Sequence, residues 1–141
     1  MIKLSKNFTL EELCASETAK TKGIRNEPGK AEVVNLTLLA VHLLQPLRNK
    51  MGAITISSGY RSPQLNRAVG GVSNSQHVKG QAADIAIPNQ TVGKIWFSYI
   101  KSNLPYDQLI WEHNSAGVYW IHVSYNIDGN RQQVIDNLLK R

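Results

Sequence analysis

The spacing of apolar residues changes once along the chain, from a helical period in the first third to short alternating runs afterwards. "FTLEELCAS" opens with Thr9 and places Glu12 three residues on, a capping-box spacing that predicts a short helix. "NEPGK" reads as a turn. In "KAEVVNLTLLAVHLLQPLRNKMG", Val34, Leu38, Val41, Leu44 and Leu47 recur at helical spacing and predict the longest helix. Pro46 has no amide hydrogen to give, so it should kink or locally break that helix, and Gly52 should stop it. His42, set among its leucines, reads as a core-edge histidine.

Beyond Gly52 the elements shorten. "AITISSG" predicts a strand. "RSPQLNRAV" supplies Ser62 as N-cap and Pro63 at the first helical position. "GGVSNSQH" reads as a loop, "AADIAI" as a buried strand ended by Pro88, and "TVGKIWFSYIKSNL" as an amphipathic helix capped by Thr91. "DQLIWE" and "VYWIHVSY" alternate and predict two more strands. "IDGN" is a turn signal, and "RQQVIDNLLKR" fits a strand or a closing helix equally. Helices followed by short strands, with connections too brief for parallel crossovers, define an α+β fold: a small antiparallel sheet with flanking helices. No repeat, low-complexity stretch or linker divides the chain, so residues 1–141 are expected to form one domain.

Composition narrows the function classes. With 42% hydrophobic and 18% charged residues, the chain is globular rather than disordered. A single cysteine, Cys14, excludes an internal disulfide and reads as a small buried hydrophobe. No apolar run is long enough to span a bilayer, and "MIKLSKNFTLEEL" has no continuous apolar signal core. A chain made in the cytoplasm without its own secretion signal is therefore expected. The net charge of +6 raises the possibility of a polyanionic partner. Its basic residues are scattered through pieces such as "AKTKGIR" and "PLRNK" without interleaved aromatics. That argues for a solvated basic surface and against a nucleic-acid partner.

Three polar residues interrupt otherwise apolar strands: Asp84, Glu112 at a strand end, and His122. A buried carboxylate without a partner is costly, so they need a reason. "SQHVKGQAADIAI" sets His77 seven residues before Asp84, with Gly80 between them to turn the backbone and Ala82 and Ala83 to leave room. Zinc binds histidine nitrogen and carboxylate oxygen at about 2.0–2.2 Å, and a catalytic zinc uses three protein ligands plus one open position. His77, Asp84 and His122 would supply the three. Trp120 and Ser124 share the strand face of His122, where they would wall or support the site. On spacing alone, a loop hydrogen bond between His77 and Asp84, and a sheet histidine at 122, remain open.

"HVKGQAADI" carries the pattern H-x-x-G-x-A-x-D and resembles the zinc D-Ala-D-Ala carboxypeptidases and their relatives in the M15 peptidase group, whose fold the hedgehog signalling domain shares. "SGYRS" upstream and "WIH" downstream occur in family order, and the similarity runs from "AITISSGYRSP" through "WIHVSY". The resemblance implies His77, Asp84 and His122 as zinc ligands. It implies Arg61 as the arginine that steadies substrate near the reacting carbonyl or carboxylate, and Ser75 as a hydrogen-bonding neighbour. Many members place an acid or a histidine three positions before the last ligand, where this chain has Tyr119. Glu112 takes the role of general base instead if "HNSAG" is a hairpin loop, much as hedgehog domains carry a glutamate on the strand before their last zinc histidine. His113 reads as a loop histidine and Asp107 as a capping or turn residue. The activity implied is zinc-dependent hydrolysis of peptidoglycan stem peptides by an endolysin-type endopeptidase of phage or prophage kind, delivered to the wall through a partner holin. A D-Ala-D-Ala carboxypeptidase, or a non-catalytic zinc-containing wall-binding module, is the alternative.

Overall fold

In a computed structural model of the protein, residues 1–137 are described. α1 (Leu10–Cys14) is capped by Thr9, whose Oγ1 accepts from Glu12 N at 3.1 Å. α2 (Glu17–Lys22) follows, capped by Ser16. α3 (Lys30–Leu39) starts from the "NEPGK" turn, where Gly29 N donates to Glu32 Oε1 at 2.9 Å. The predicted long helix is interrupted: residues 40–44 wind as a π turn before α4 (Gln45–Met51). Pro46 is the cause, because it cannot donate to the carbonyl of His42. The widened turn carries the chain past that gap, with Gln45 N reaching Ala40 O, five residues back.

The buried stripe of this segment differs from the one expected. Leu36, Leu39, Leu43, Leu44 and Leu47 are fully buried, whereas Val34 and Val41 are 57% and 46% exposed. The segment is apolar enough to offer two stripes at helical spacing, and periodicity does not say which one meets the sheet. His42 lies at the surface, its ring stacked on Tyr125 at a centroid distance of 5.0 Å.

β1 (Thr55–Ser58), α5 (Pro63–Ala68), β2 (Ala82–Ala86), α6 (Gln90–Asn103), β3 (Gln108–His113), β4 (Tyr119–Ser124) and β5 (Gln133–Asp136) complete the chain. Ser62 caps α5, its Oγ accepting from Leu65 N at 3.2 Å. α6 begins two residues earlier than expected. Asn89, not Thr91, is its cap, with Oδ1 accepting from Val92 N at 2.9 Å. Asparagine is at least as good a cap as threonine and comes first in the chain.

The strands form one sheet in the order β1-β2-β4-β3-β5. All pairs are antiparallel except β3 with β5, which is parallel. The sheet is thus mostly, not wholly, antiparallel. β5 returns from the "IDGN" turn, but both edges of β4 are already taken by β2 and β3, so it adds to the free edge of β3. "RQQVIDNLLKR" is accordingly a strand over residues 133–136, and positions 138–141 lie outside the described residues.

The two faces of this sheet separate folding from chemistry. Ala83, Ile85, Leu109, Trp111, Ile121 and Val123 point into the core shared with Leu39, Leu43, Phe97 and Ile100 of the helices. Phe97 meets Trp111 edge-on at 5.7 Å. Because side chains alternate across a strand, Asp84, Ile110, Glu112, Trp120 and His122 are carried on the opposite face. Ala83 therefore fills the core rather than leaving room beside Asp84, a correction to the sequence expectation.

Candidate metal centre

Register brings two of the polar strand residues together: Asp84 lies directly opposite His122, and His122 opposite Ile110. The loop before β2 brings in His77. Gly80, between His77 and Asp84, has φ +73, and a Cβ there would lie 2.6 Å from the backbone oxygen of Glu32, so only glycine fits both the turn and the close approach to α3. The donor atoms of His77, Asp84 and His122 all lie within 4.8 Å of one another. His77 Nε2 is 3.4 Å and His122 Nδ1 3.0 Å from Asp84 Oδ1.

These residues fit a metal ion. His77 Nδ1 is 2.7 Å from the carbonyl oxygen of Gly59, which can only accept, so Nδ1 carries the proton. In the neutral imidazole, Nε2 then presents a lone pair to a carboxylate oxygen. Two acceptors facing each other in a buried site require a positive species between them, a proton or a metal. Neighbouring ligands of a tetrahedral zinc with bonds of about 2.0–2.2 Å stand roughly 3.3–3.5 Å apart, close to the spacings seen. Hydrogen-bonding a ligand histidine through its other nitrogen to a carbonyl is the usual way such a ring is oriented. Gly59 makes that contact possible, since a Cβ there would lie 2.2 Å from Leu13 O.

Burial, the largest single influence, would push the Asp84 carboxyl up. Hydrogen bonds from His122 and His77, with the positive charge they carry when protonated, outweigh it and hold the group well below the usual carboxylate range. Arg61 adds a third cationic partner, its Nη2 3.7 Å from Asp84 Oδ2. The arginine is itself positioned by Ser58 Oγ at 3.3 Å and Asn66 Oδ1 at 3.2 Å, while its backbone N donates to His77 O. Burial lowers the Arg61 pKa and Asp84 partly opposes that. Ser75 Oγ accepts from His77 N at 3.2 Å, so it holds the backbone of the His77 loop.

A cavity of about 440 Å3 opens over this group. His77, Asp84, His122, Arg61, Ser75 and Trp120 line it, and so does Glu112. Glu112 reaches it as the hairpin expectation requires, since Glu112 pairs with Trp120 across β3 and β4. Its Oε1 accepts from Asn137 Nδ2 at 3.3 Å. Ser124, in contrast, is fully buried and its oxygen accepts from Gln108 N, away from the metal donors. His113 is exposed and rests on Tyr119 at a ring distance of 5.5 Å. Cys14 is half-buried, and burial pushes its thiol up to about 11, which leaves it unreactive at neutral pH.

Among the cavity residues not singled out by sequence are Gln76 and Arg131. Asp107, read as a cap or turn residue, is what ties them in. It is 2% exposed and accepts from Arg131 N, Nε and Nη2 and from Gln76 Nε2, all at 2.8–2.9 Å. The acidic residue before "QLIWE" was a signal, but nothing in the sequence names a partner 24 residues away.

Fold and site together define a class. The peptidase M15 family model matches residues 6–124, and the chain belongs to that family. Among curated proteins it is similar to the zinc D-Ala-D-Ala carboxypeptidase of Streptomyces albus G, 38% identical over 88 residues, which cover 60% of this chain and 32% of that protein. The chain thus spans about a third of the length of the curated relative it matches. Among the described residues, no helix is long and apolar enough to cross a membrane.

Proposed function

We propose that the chain is a zinc-dependent peptidase that cuts peptidoglycan stem peptides at an internal bond, as endolysins do. The observation that carries the reading is the convergence of His77, Asp84 and His122 in a cavity that also holds a carboxylate and an arginine. The family and the zinc carboxypeptidase relative support a metallopeptidase. The cavity favours an internal bond because it extends along β3 to both sides of the metal donors, from Gln108 to Glu112. A terminal trimming enzyme needs room for only one residue beyond the cut.

Zinc held by His77, Asp84 and His122 would lower the pKa of a water and polarise the scissile carbonyl. Glu112, anchored through Oε1 to Asn137, takes the water's proton on its other oxygen and returns it to the leaving amine. Arg61, fixed by Ser58 and Asn66, donates to the negative charge developing on the carbonyl oxygen. Trp120 walls the cavity and limits water around these groups. The second reading is a D-Ala-D-Ala carboxypeptidase, which the name of the curated relative favours.

The test is digestion of purified peptidoglycan by the zinc-loaded protein and by Glu112→Ala, with products read by mass spectrometry. A new amino terminus within the stem peptide supports the endopeptidase, and loss of a single terminal alanine replaces it with the carboxypeptidase. Loss of the base should cost about 10²–10⁴-fold in rate. If both proteins hold one zinc and neither cuts, the enzymatic reading falls and a wall-binding module takes its place.

A further inference from the structure

The cavity is polarised along β3. Gln108, Ile110 and Glu112 alternate onto its floor, with the metal donors level with Ile110 because His122 pairs there. Glu112 marks one end. At the other end, Asp107 immediately precedes β3 and holds Arg131, which lies two residues before β5. From Asp107 to Ile110 is three residues, or about 10 Å of strand.

Arg131 is built like a recognition group. Its guanidinium is 58% exposed and lines the cavity, while Asp107 behind it is buried. Of its five N–H donors, one on Nε and one on Nη2 are given to Asp107. Three remain without a partner among the described residues. Its backbone N is bound to the same carboxylate, so both ends of the side chain are held and little rotamer freedom remains to be lost on binding. Gln76 is oriented by the same demand. Its Nε2 faces Asp107 Oδ2 at 2.8 Å, and its buried Oε1 is left without a hydrogen bond. Asp107 is neutralised by the arginine it orients, so it does not repel an incoming anion.

We infer that Arg131, clamped by Asp107, is a specificity residue that binds a free carboxylate of the substrate peptide on the side of the scissile bond away from Glu112. The inference rests on the peptidase reading above and names what that site selects. Arg131 lies beyond residues 6–124, so the family match does not bear on it. The span of about 10 Å corresponds to about three residues of extended peptide. Two stem-peptide groups share this chemistry: the α-carboxylate of a γ-linked glutamyl residue and the carboxylate at the end of the chain.

The experiment uses four synthetic stem peptides, in which each of these carboxylates is either free or amidated. Zinc-loaded wild type, Arg131→Gln and the double variant Asp107→Asn/Arg131→Gln are compared by kcat/KM. The double variant removes the buried charge that the single one leaves unpaired, so it carries the test if the single variant does not fold. Wild type should favour the free acid over the amide at one of the two positions by about 10-fold or more. That position identifies the carboxylate. In the variants the acid-to-amide ratio should fall to about one, whatever their absolute rates. A wild type indifferent to both amidations, or variants that keep the preference, would overturn the inference. If wild type cuts none of the four, the peptidase reading fails separately. Calorimetric binding of the same peptides to the same zinc-loaded proteins then decides the carboxylate contact by the same ratio.

Discussion

Acid should loosen this fold through Asp107 by an amount that follows from its hydrogen bonds. Arg131, chiefly, with Gln76 in support, holds the Asp107 carboxyl at about 2, against an ordinary value of 3.8, with burial working the other way. At about 1.4 kcal/mol per pKa unit, that gap corresponds to about 2–3 kcal/mol of stability. Because Arg131 is open to water on its cavity side, this is an upper figure. The folded-state value is the depressed one. The contribution is therefore complete above the unfolded-state value near 3.8 and is lost as the pH falls through about 2. Roughly half of it should be gone at pH 3. The assay is urea unfolding of the metal-free protein from pH 6 to pH 2.5, wild type beside Asp107→Asn. Comparison at equal pH cancels Asp84 and the other carboxylates. Wild type should be more stable at pH 6, and the gap should narrow by about 1 kcal/mol by pH 3. A gap that is the same at both ends of the range would refute the argument.

Three further substitutions separate the contributions of backbone and caps. Gly80→Ala forces a side chain into a left-handed turn and against Glu32 O, so unfolding free energy should fall by about 2 kcal/mol, and zinc affinity should weaken because the turn joins two ligands. Unchanged urea midpoint and zinc titration would show that the turn can move without cost. Asn89→Ala should cost about 1 kcal/mol as the cap of α6, whereas Thr91→Ala, inside the helix, should cost less than half as much. A thermal melt that ranks the two the other way would restore Thr91 as the cap.

The strands and their chemistry were legible because alternation is a strong signal. Asp84 and His122 stand out as polar residues on apolar strands, and the register then sets them opposite each other. The segment from His77 to Asp84 was legible because its glycine and spacing are local. Elements defined by choices between equivalents were not. The helix over residues 30–51 offered two apolar stripes, α6 offered two cap residues, and Ala82 and Ala83 looked alike although the strand sends Ala83 to the core. The parallel pairing of β5 follows from which sheet edge is free, a property of the assembled sheet. The bond between Asp107 and Arg131 is likewise tertiary. It becomes visible only when β5 is laid beside β3.

Two buried aspartates, Asp84 in the cavity lining and Asp107 behind Arg131, show how a ligand differs from a structural carboxylate. Asp107 is surrounded by N–H groups that all carry hydrogens, from Arg131 and Gln76, so its charge is satisfied by the protein alone. Asp84 is surrounded by imidazoles, one of which has already committed its proton to Gly59 O. With both histidines neutral, His77 Nε2 has no proton for Asp84, whose partners within the chain are then His122 Nδ1 at 3.0 Å, when that nitrogen carries its hydrogen, and Arg61 at the long distance of 3.7 Å. The His77 lone pair that faces this carboxylate is satisfied when the imidazole is protonated or when a cation binds all three residues. The second arrangement uses both histidines as neutral ligands, so the pressure that makes Asp84 costly to bury is the same one that makes it a good ligand.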